Sequence, residues 1–109
     1  MRSVQLNSEE APNKWWALQD RRMRNIANAS LFTPAQKIQG ERMKLALELV
    51  YTGTVYDVSF GKRSLSVKLQ KGGRVVDKKN LALLEKDWEA LGVYKKESPQ
   101  GMQYHLPRV

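Results

Sequence analysis

The chain has 109 residues, of which 41% are hydrophobic and 28% charged, and its formal net charge is +8. This length and composition suit one folded domain with its own core and exclude a wholly disordered chain. The absence of cysteine excludes disulfides and thiolate metal sites and favours a reducing compartment such as the cytoplasm. Because no apolar run is long enough to cross a bilayer and no signal peptide is evident, we expect no membrane partner.

The first predicted helix follows a polar segment, residues 1–12, which we interpret as a flexible arm ahead of a single globular domain at 13–109. Asn13 is a suitable N-cap, and apolar residues recur after it at helical spacing. This stripe predicts a side of the helix that faces the core. Its members are Trp16, Met23, Ile26 and Ala27.

The second predicted helix has the clearest start signal in the chain. Thr33 and Gln36 have the spacing of a capping box, and Pro34 lies where a missing N–H costs nothing. We expect the helix to end between residues 48 and 52. The side that we expect to be buried consists of Ile38, Met43, Leu45, Ala46 and Leu49.

Three short strands are predicted next, near residues 53–60, 64–70 and 73–77. In the second, apolar residues alternate with polar ones, so one face enters a core. Both connecting turns contain the glycine that positive φ angles require. The pattern indicates an antiparallel three-stranded meander.

A third helix and a hairpin complete the chain. Asp77 or Asn80 is a suitable N-cap for the helix, and Ser98-Pro99-Gln100-Gly101 is typical of a tight turn between strands near 93–97 and 102–106. The order of elements predicts an α+β fold in which helices cover one curled sheet or a small barrel. The apolar stripe of the third helix consists of Leu81, Leu84, Trp88 and Leu91.

Positive charge is concentrated in the middle of the chain, with a net +4 in residues 14–50 and +5 in residues 51–79. A sequence pI of about 9.9 with clustered Lys and Arg is typical of proteins that bind phosphate backbones. Trp15 and Tyr56 are candidates for stacking on a base or anchoring a partner. The candidate nucleic-acid-binding residues are Arg21, Arg22, Arg24, Lys62, Arg63, Lys68, Lys71, Arg74, Lys78 and Lys79.

Residues 53–81 resemble the small SH3-like barrels of the KOW or Tudor type. The resemblance is carried by Gly53-Thr54-Val55, Val67-Lys68-Leu69, Val75-Val76 and Asn80-Leu81. It implies binding of RNA, DNA or protein tails through loop and face residues. Those positions are Tyr56, Phe60, Lys62, Arg63 and Arg74.

In residues 81–106, the run from Leu84 to Tyr94 is followed by Ser98-Pro99-Gln100-Gly101 and Tyr104-His105-Leu106. This segment resembles the last helix and wing of a winged helix-turn-helix. The region before them does not match that family, because its alternation indicates strands rather than helices. The outer side of the third helix is also acidic, with Glu85, Asp87 and Glu89, which is unsuited to contact with phosphates.

No catalytic, metal or cofactor site is indicated by the sequence, since His105 is the only histidine and no ligand cluster or phosphate-binding loop is present. We expect a small basic, non-enzymatic nucleic-acid-binding accessory or regulatory protein. It would contact mainly backbone phosphates, with modest sequence preference. The alternative is a protein-interaction module, such as a small inhibitor or adaptor, whose basic face docks on an acidic protein surface. A third hypothesis is a structural component of a larger ribonucleoprotein or other assembly.

Overall fold

The computed structural model describes the backbone from Glu10 to Val109 and the side chains from Asp20 onward. The described part of the chain is α+β, as the order of the predicted elements indicates. The helices are α1 (Glu10–Ala29), α2 (Pro34–Val50) and α3 (Lys78–Glu89). The strands are β1 (Ser59–Phe60), β2 (Ser64–Gln70), β3 (Tyr94–Ser98) and β4 (Gly101–Pro107).

The four strands form one antiparallel sheet in the order β1-β2-β4-β3. β2 and β4 pair over their whole length, from Ser64 opposite Pro107 to Gln70 opposite Gly101. β3 and β4 form the predicted C-terminal hairpin around the turn at 98–101. The sheet is open at both edges, so the barrel alternative is wrong.

The predicted third strand, residues 73–77, does not join the sheet. β4 occupies the edge of β2 along its full length, so no free edge remains there for this segment. It turns back instead to the end of α2, where the Thr52 N–H donates to the Arg74 carbonyl at 2.9 Å and the Val76 N–H donates to the Val50 carbonyl at 2.8 Å. The three-stranded meander is therefore replaced by a four-stranded sheet that includes the C-terminal hairpin.

The predicted first strand, residues 53–60, lies beside β2 but contains a bulge. Val55 lies opposite Leu69, whereas Ser59 lies opposite Ser66, so the outer strand carries one extra residue between the two pairs. Within residues 53–60, only β1 forms a regular strand. The Tyr56 N–H still donates to the Lys68 carbonyl, at 2.9 Å.

The core lies between one face of the sheet and helices α2 and α3. The Trp88 ring of α3 contacts Tyr104 of β4 edge to face, with centroids 5.5 Å apart. The Tyr104 hydroxyl donates to Glu85 Oε2 at 2.7 Å, and burial together with this carboxylate raises the pKa of Tyr104 above its usual value. The buried hydrophobic residues are Phe32, Met43, Leu47, Val50, Val55, Leu65, Val67, Leu69, Trp88, Tyr104 and Leu106.

Helix α2 buries a different side from the one predicted, although it ends at Val50, within the expected range. Met43 is buried as expected and Ala46 packs against the core, but Ile38, Leu45 and Leu49 are exposed. The buried positions are spaced by three, four and three residues. They are Gly40, Met43, Leu47 and Val50.

Gly40 explains why this side of α2 is the buried one. A Cβ atom at position 40 would lie 3.1 Å from a methyl group of Leu65 and 3.3 Å from one of Val58. The glycine therefore allows the helix backbone to approach β2 closely, and the side chains on its stripe follow it into the core.

Helix α1 differs from its prediction at both its start and its packing. It begins at Glu10, so the predicted N-cap Asn13 lies inside the helix. Met23 and Ile26, expected in the core, are 64% and 72% exposed, and Ala27 is also exposed. Residues 10–12, predicted as the end of the flexible arm, belong to this helix. The rest of that arm and the side chains of Trp15 and Trp16 lie outside the described residues.

Helix α3 begins with Asp77 as its N-cap, where the carboxylate accepts from the Asn80 N–H at 3.0 Å. Leu81 and Leu84 pack against the core beside the buried Trp88. Leu91 is 52% exposed because the helix ends at Glu89, so the predicted stripe does not continue to it.

The capping box at the start of α2 is confirmed. The Thr33 hydroxyl accepts from the Gln36 N–H at 3.1 Å, and the Gln36 side chain accepts from the Thr33 N–H at 2.8 Å. Replacing Thr33 with Ala removes one of these acceptors, so we expect the free energy of unfolding to fall by about 1 kcal/mol in urea titrations. Thr33→Ser keeps the hydroxyl and should lose less; equal losses for Ala and Ser would contradict a capping role.

Candidate nucleic-acid interface

The sheet has a second face, which points away from α2 and α3. Strand alternation assigns residues to this face, since those opposite one another in the register point the same way. On β2, for example, Leu65, Val67 and Leu69 are buried, so Ser66 and Lys68 point to the other side. We call this surface the open face. Its residues are Tyr56, Ser59, Ser64, Ser66, Lys68, Tyr94, Lys96, Gln103, His105 and Pro107.

The open face is organised in rows that run across the strands. One row contains Tyr56, Lys68, Gln103 and Lys96, because Lys68 pairs with Gln103 and Gln103 with Lys96. The next row contains Ser59, Ser66, His105 and Tyr94. Each row thus has a tyrosine at one end, and the two tyrosines lie at opposite edges of the sheet.

Both tyrosines of the open face leave ring surface in contact with water. Tyr94 is 48% exposed and stacks on His105, with centroids 5.0 Å apart and planes 6° from parallel. Tyr56 is 44% exposed, and the Lys68 ammonium lies 5.8 Å from its ring centroid. The face therefore presents aromatic rings next to a cation.

The charge of the open face is positive. Lys68 and Lys96 point outward, and none of the outward-facing strand residues is Asp or Glu. Two carboxylates adjoin open-face residues in sequence, and both point elsewhere: Asp57 lies 3.7 Å from Lys44 of α2, and Glu97 lies opposite Met102, which packs against the core. Among the described residues the ion pairs are formed by Lys44 and Lys95, so no residue of the candidate basic set is neutralised by one.

His105 is held by hydrogen bonds within the open face. Its Nδ1 lies 3.0 Å from the Ser64 hydroxyl and its Nε2 lies 2.9 Å from the Gln103 amide oxygen, which fits a proton on Nε2. Burial and the nearby Lys96 lower the pKa of His105 below its usual value, which favours the neutral ring. The serine–histidine pair has an amide rather than a carboxylate at its second nitrogen, so it lacks the group that orients the histidine in a Ser-His-Asp triad.

A groove with basic side chains lies where α1 crosses the β1 edge of the sheet. Its volume is about 410 Å³, and it opens beside Ser59 of the open face. Arg21, Arg22 and Arg24 are exposed along one wall. The sequence predicted these three arginines as a group, and the structure brings them together at the sheet edge.

Two asparagines hold α1 against that edge. Asn25 Oδ1 accepts from the Phe60 N–H at 2.6 Å, and the Asn28 amide donates to the Phe60 carbonyl at 3.1 Å. They thus pair with backbone groups that an edge strand would otherwise leave open to another chain. Since Asn25 faces the sheet, Met23 lies about 200° away around the helix, which explains its exposure.

A second basic cluster lies in the turn between β1 and β2. Arg108 Nε donates to the Lys62 carbonyl at 3.0 Å, and the Arg108 N–H donates to the Arg63 carbonyl at 2.8 Å. These bonds hold the C-terminal segment against the turn. Arg108 thus adds a third cation to the predicted pair, Lys62 and Arg63. The cluster adjoins Ser64, at one end of the open face.

The remaining predicted residues do not converge on the groove. Lys71 and Arg74 lie beyond the other end of β2, about 20 Å from the turn cluster for a strand of this length. Lys78 and Lys79 lie in the first turn of α3, in the helix layer. The basic residues therefore border the open face at both ends and one edge rather than lining a single concave surface.

The sequence-based prediction found Tyr56 and Lys68 on this surface and missed the residues contributed by the hairpin. Alternation within each hairpin strand gives their outward direction, but not the pairing of β4 with β2 that places them beside Lys68. The missed residues are Tyr94, Lys96, Gln103, His105 and Arg108.

A second cavity, of about 330 Å³, lies between α3 and the hairpin. Glu85, Glu89 and Lys95 line it, and Lys95 pairs with Glu85 at 3.1 Å, so the charge that is left is the negative one of Glu89, which does not favour phosphate. Within the described part of the chain, no group of His, Cys, Asp or Glu residues is arranged to hold a metal ion. Of the helices described, none is long and apolar enough to cross a membrane.

Comparison of the chain with models of known protein families, with curated proteins and with solved structures finds no match in any of the three. The likeness to SH3-like barrels and to winged helices therefore stays a prediction from the sequence.

Proposed function

We propose that this protein is a non-enzymatic nucleic-acid-binding protein of accessory or regulatory type, acting in the cytoplasm. It contacts mainly backbone phosphates, through the α1 groove, the turn cluster and the lysines of the open face. Arginine forks suit phosphate oxygens, and contacts of this kind carry little sequence information.

The observation that carries the proposal is the absence of carboxylates from the open face. Lys68 and Lys96 point outward there with no Asp or Glu on the same face, whereas on α3 the carboxylates of Glu85, Asp87 and Glu89 are matched in number by Lys78, Lys79 and Lys86. Positive charge without neighbouring negative charge gives the open face a positive potential. A polyanion is therefore attracted to one side of the molecule.

The test is binding of fluorescein-labelled oligonucleotides by anisotropy across a range of salt concentrations. If about six phosphates are neutralised, log K against log[salt] should slope near −5 for duplex DNA. Replacing Arg21, Arg22 and Arg24 with Gln should weaken binding at least about tenfold at 0.1 M salt and make the slope shallower by about 2 to 3.

The matched control replaces Lys78, Lys79 and Lys86 with Gln. It removes the same net charge from exposed residues of α3, so it should leave affinity within about threefold of the original protein. Equal losses in both triple variants would show that only net charge matters. Absence of binding at low salt would reject the proposal altogether.

A second candidate function, a protein-interaction module, is favoured by apolar residues on the helices. Leu45 and Leu49 of α2 are 58% and 81% exposed, and Met23 and Ile26 of α1 are exposed as well. Exposed apolar side chains in a group are typical of protein contact sites. Failure of nucleic-acid binding would leave this candidate in first place.

A further inference from the structure

We propose that the open face binds single-stranded nucleic acid, with unpaired bases stacked on Tyr56 and Tyr94. This inference rests on the proposed function and specifies its substrate class. It concerns the strand residues of the sheet, whereas the arginine groove contributes phosphate contacts to any nucleic acid.

The two tyrosine rings provide the stacking surfaces. Each is close to half exposed. Tyr94 stands on β3, and Tyr56 lies in the bulged segment beside β2, where its N–H is bonded to the Lys68 carbonyl, so little backbone freedom is lost when a base stacks on either ring. The His105 ring stacks on one side of Tyr94, with the two planes 6° from parallel, and so holds the tyrosine ring in place. Stacking of this kind accepts any base, because every base has a flat aromatic face.

The lysines and polar side chains between the rings suit the backbone that joins successive bases. Lys68 lies beside Tyr56, and Lys96 lies two residues along β3 from Tyr94 on the same face, so each ring has a cation nearby. Gln103 lies between the two lysines in the same row. Its amide adds hydrogen-bonding capacity without negative charge.

The geometry favours single strands over duplexes. In a duplex the flat faces of the bases are covered by their neighbours, so rings on a sheet reach only the backbone or the helix ends. The row of side chains is also short, since Tyr56 and Lys96 are separated by three strand spacings, or about 14 Å. A few unpaired nucleotides match this span better than a duplex does.

The experiment compares Tyr56→Leu and Tyr94→Leu with the full-length protein. The probes are single-stranded DNA and RNA of about 16 nucleotides, near the upper site size of such surfaces, and the duplex of the same DNA. We expect the original protein to bind the single strands more tightly than the duplex. Each Leu variant should lose about tenfold in affinity for single strands and stay unchanged on the duplex.

The controls are Tyr56→Phe and Tyr94→Phe, which keep the ring and should keep most of the affinity. Thermal unfolding of each variant checks that the fold persists, as expected for half-exposed positions. A duplex bound as tightly as the single strands, or Leu variants with unchanged single-strand affinity, would overturn this inference while leaving the proposed function in place. No binding to any probe would overturn both, and the DNA and RNA arms show which strand is preferred.

Discussion

Replacing Gly101 with Ala should lower the free energy of unfolding by about 3 kcal/mol or more. Gly101 begins β4 with φ at +139°, a conformation that other residues adopt only with strain. An added Cβ would also overlap the carbonyl oxygen of Leu69, which belongs to the backbone of β2 and has no free rotation with which to move away. Urea denaturation followed by circular dichroism measures the loss.

The matched control is Gly72→Ala. Gly72 also has a positive φ, +95°, but a Cβ there would meet nothing within 4 Å. Its substitution should therefore cost only the backbone strain, about 1 to 2 kcal/mol. If the two alanine variants were equally stable, close contact between the start of β4 and the end of β2 would be contradicted. That contact also fixes the strand register in which Gln103 lies between Lys68 and Lys96.

The parts of the fold that the sequence predicts well are those determined by neighbouring residues. The Thr33 capping box involves residues three apart, and the alternation of Leu65, Val67 and Leu69 marks a strand with one buried face. The hairpin turn at 98–101 is likewise specified by its own side chains, since the Ser98 hydroxyl accepts from the Gln100 N–H and donates to the Gly101 carbonyl. Each signal acts within a few residues, so no knowledge of the rest of the chain is needed.

The parts that the sequence does not predict depend on contacts between distant segments. Residues 73–77 have strand-like composition, but the pairing that excludes them joins Gln70 to Gly101, far along the chain. The same pairing brings Gln103 and His105 onto the open face. The aromatic and basic character of Tyr56 and Lys68 is enough to make them candidates. Their arrangement in one row with Gln103 and Lys96 cannot be predicted, because it depends on the pairing of β4 with β2 and β3.

In helix α2, Leu47→Ala should lower the free energy of unfolding by about 2 to 5 kcal/mol. Leu47 is 1% exposed, and its stripe packs against the sheet between the neighbouring buried residues Met43 and Val50. Truncation leaves a cavity that the close approach at Gly40 prevents the helix from filling. The midpoint and slope of a urea titration, with thermal unfolding as a second measurement, determine the change.

Leu49→Ala is the control, because it removes the same atoms from the same helix at a position that is 81% exposed. The expected change is within about 0.5 kcal/mol, since surface substitutions remove little packing. The sequence pattern alone predicts the opposite result, because it placed Leu45 and Leu49 on the buried side. A large loss for Leu49→Ala with a small one for Leu47→Ala would therefore restore the sequence-based orientation of α2.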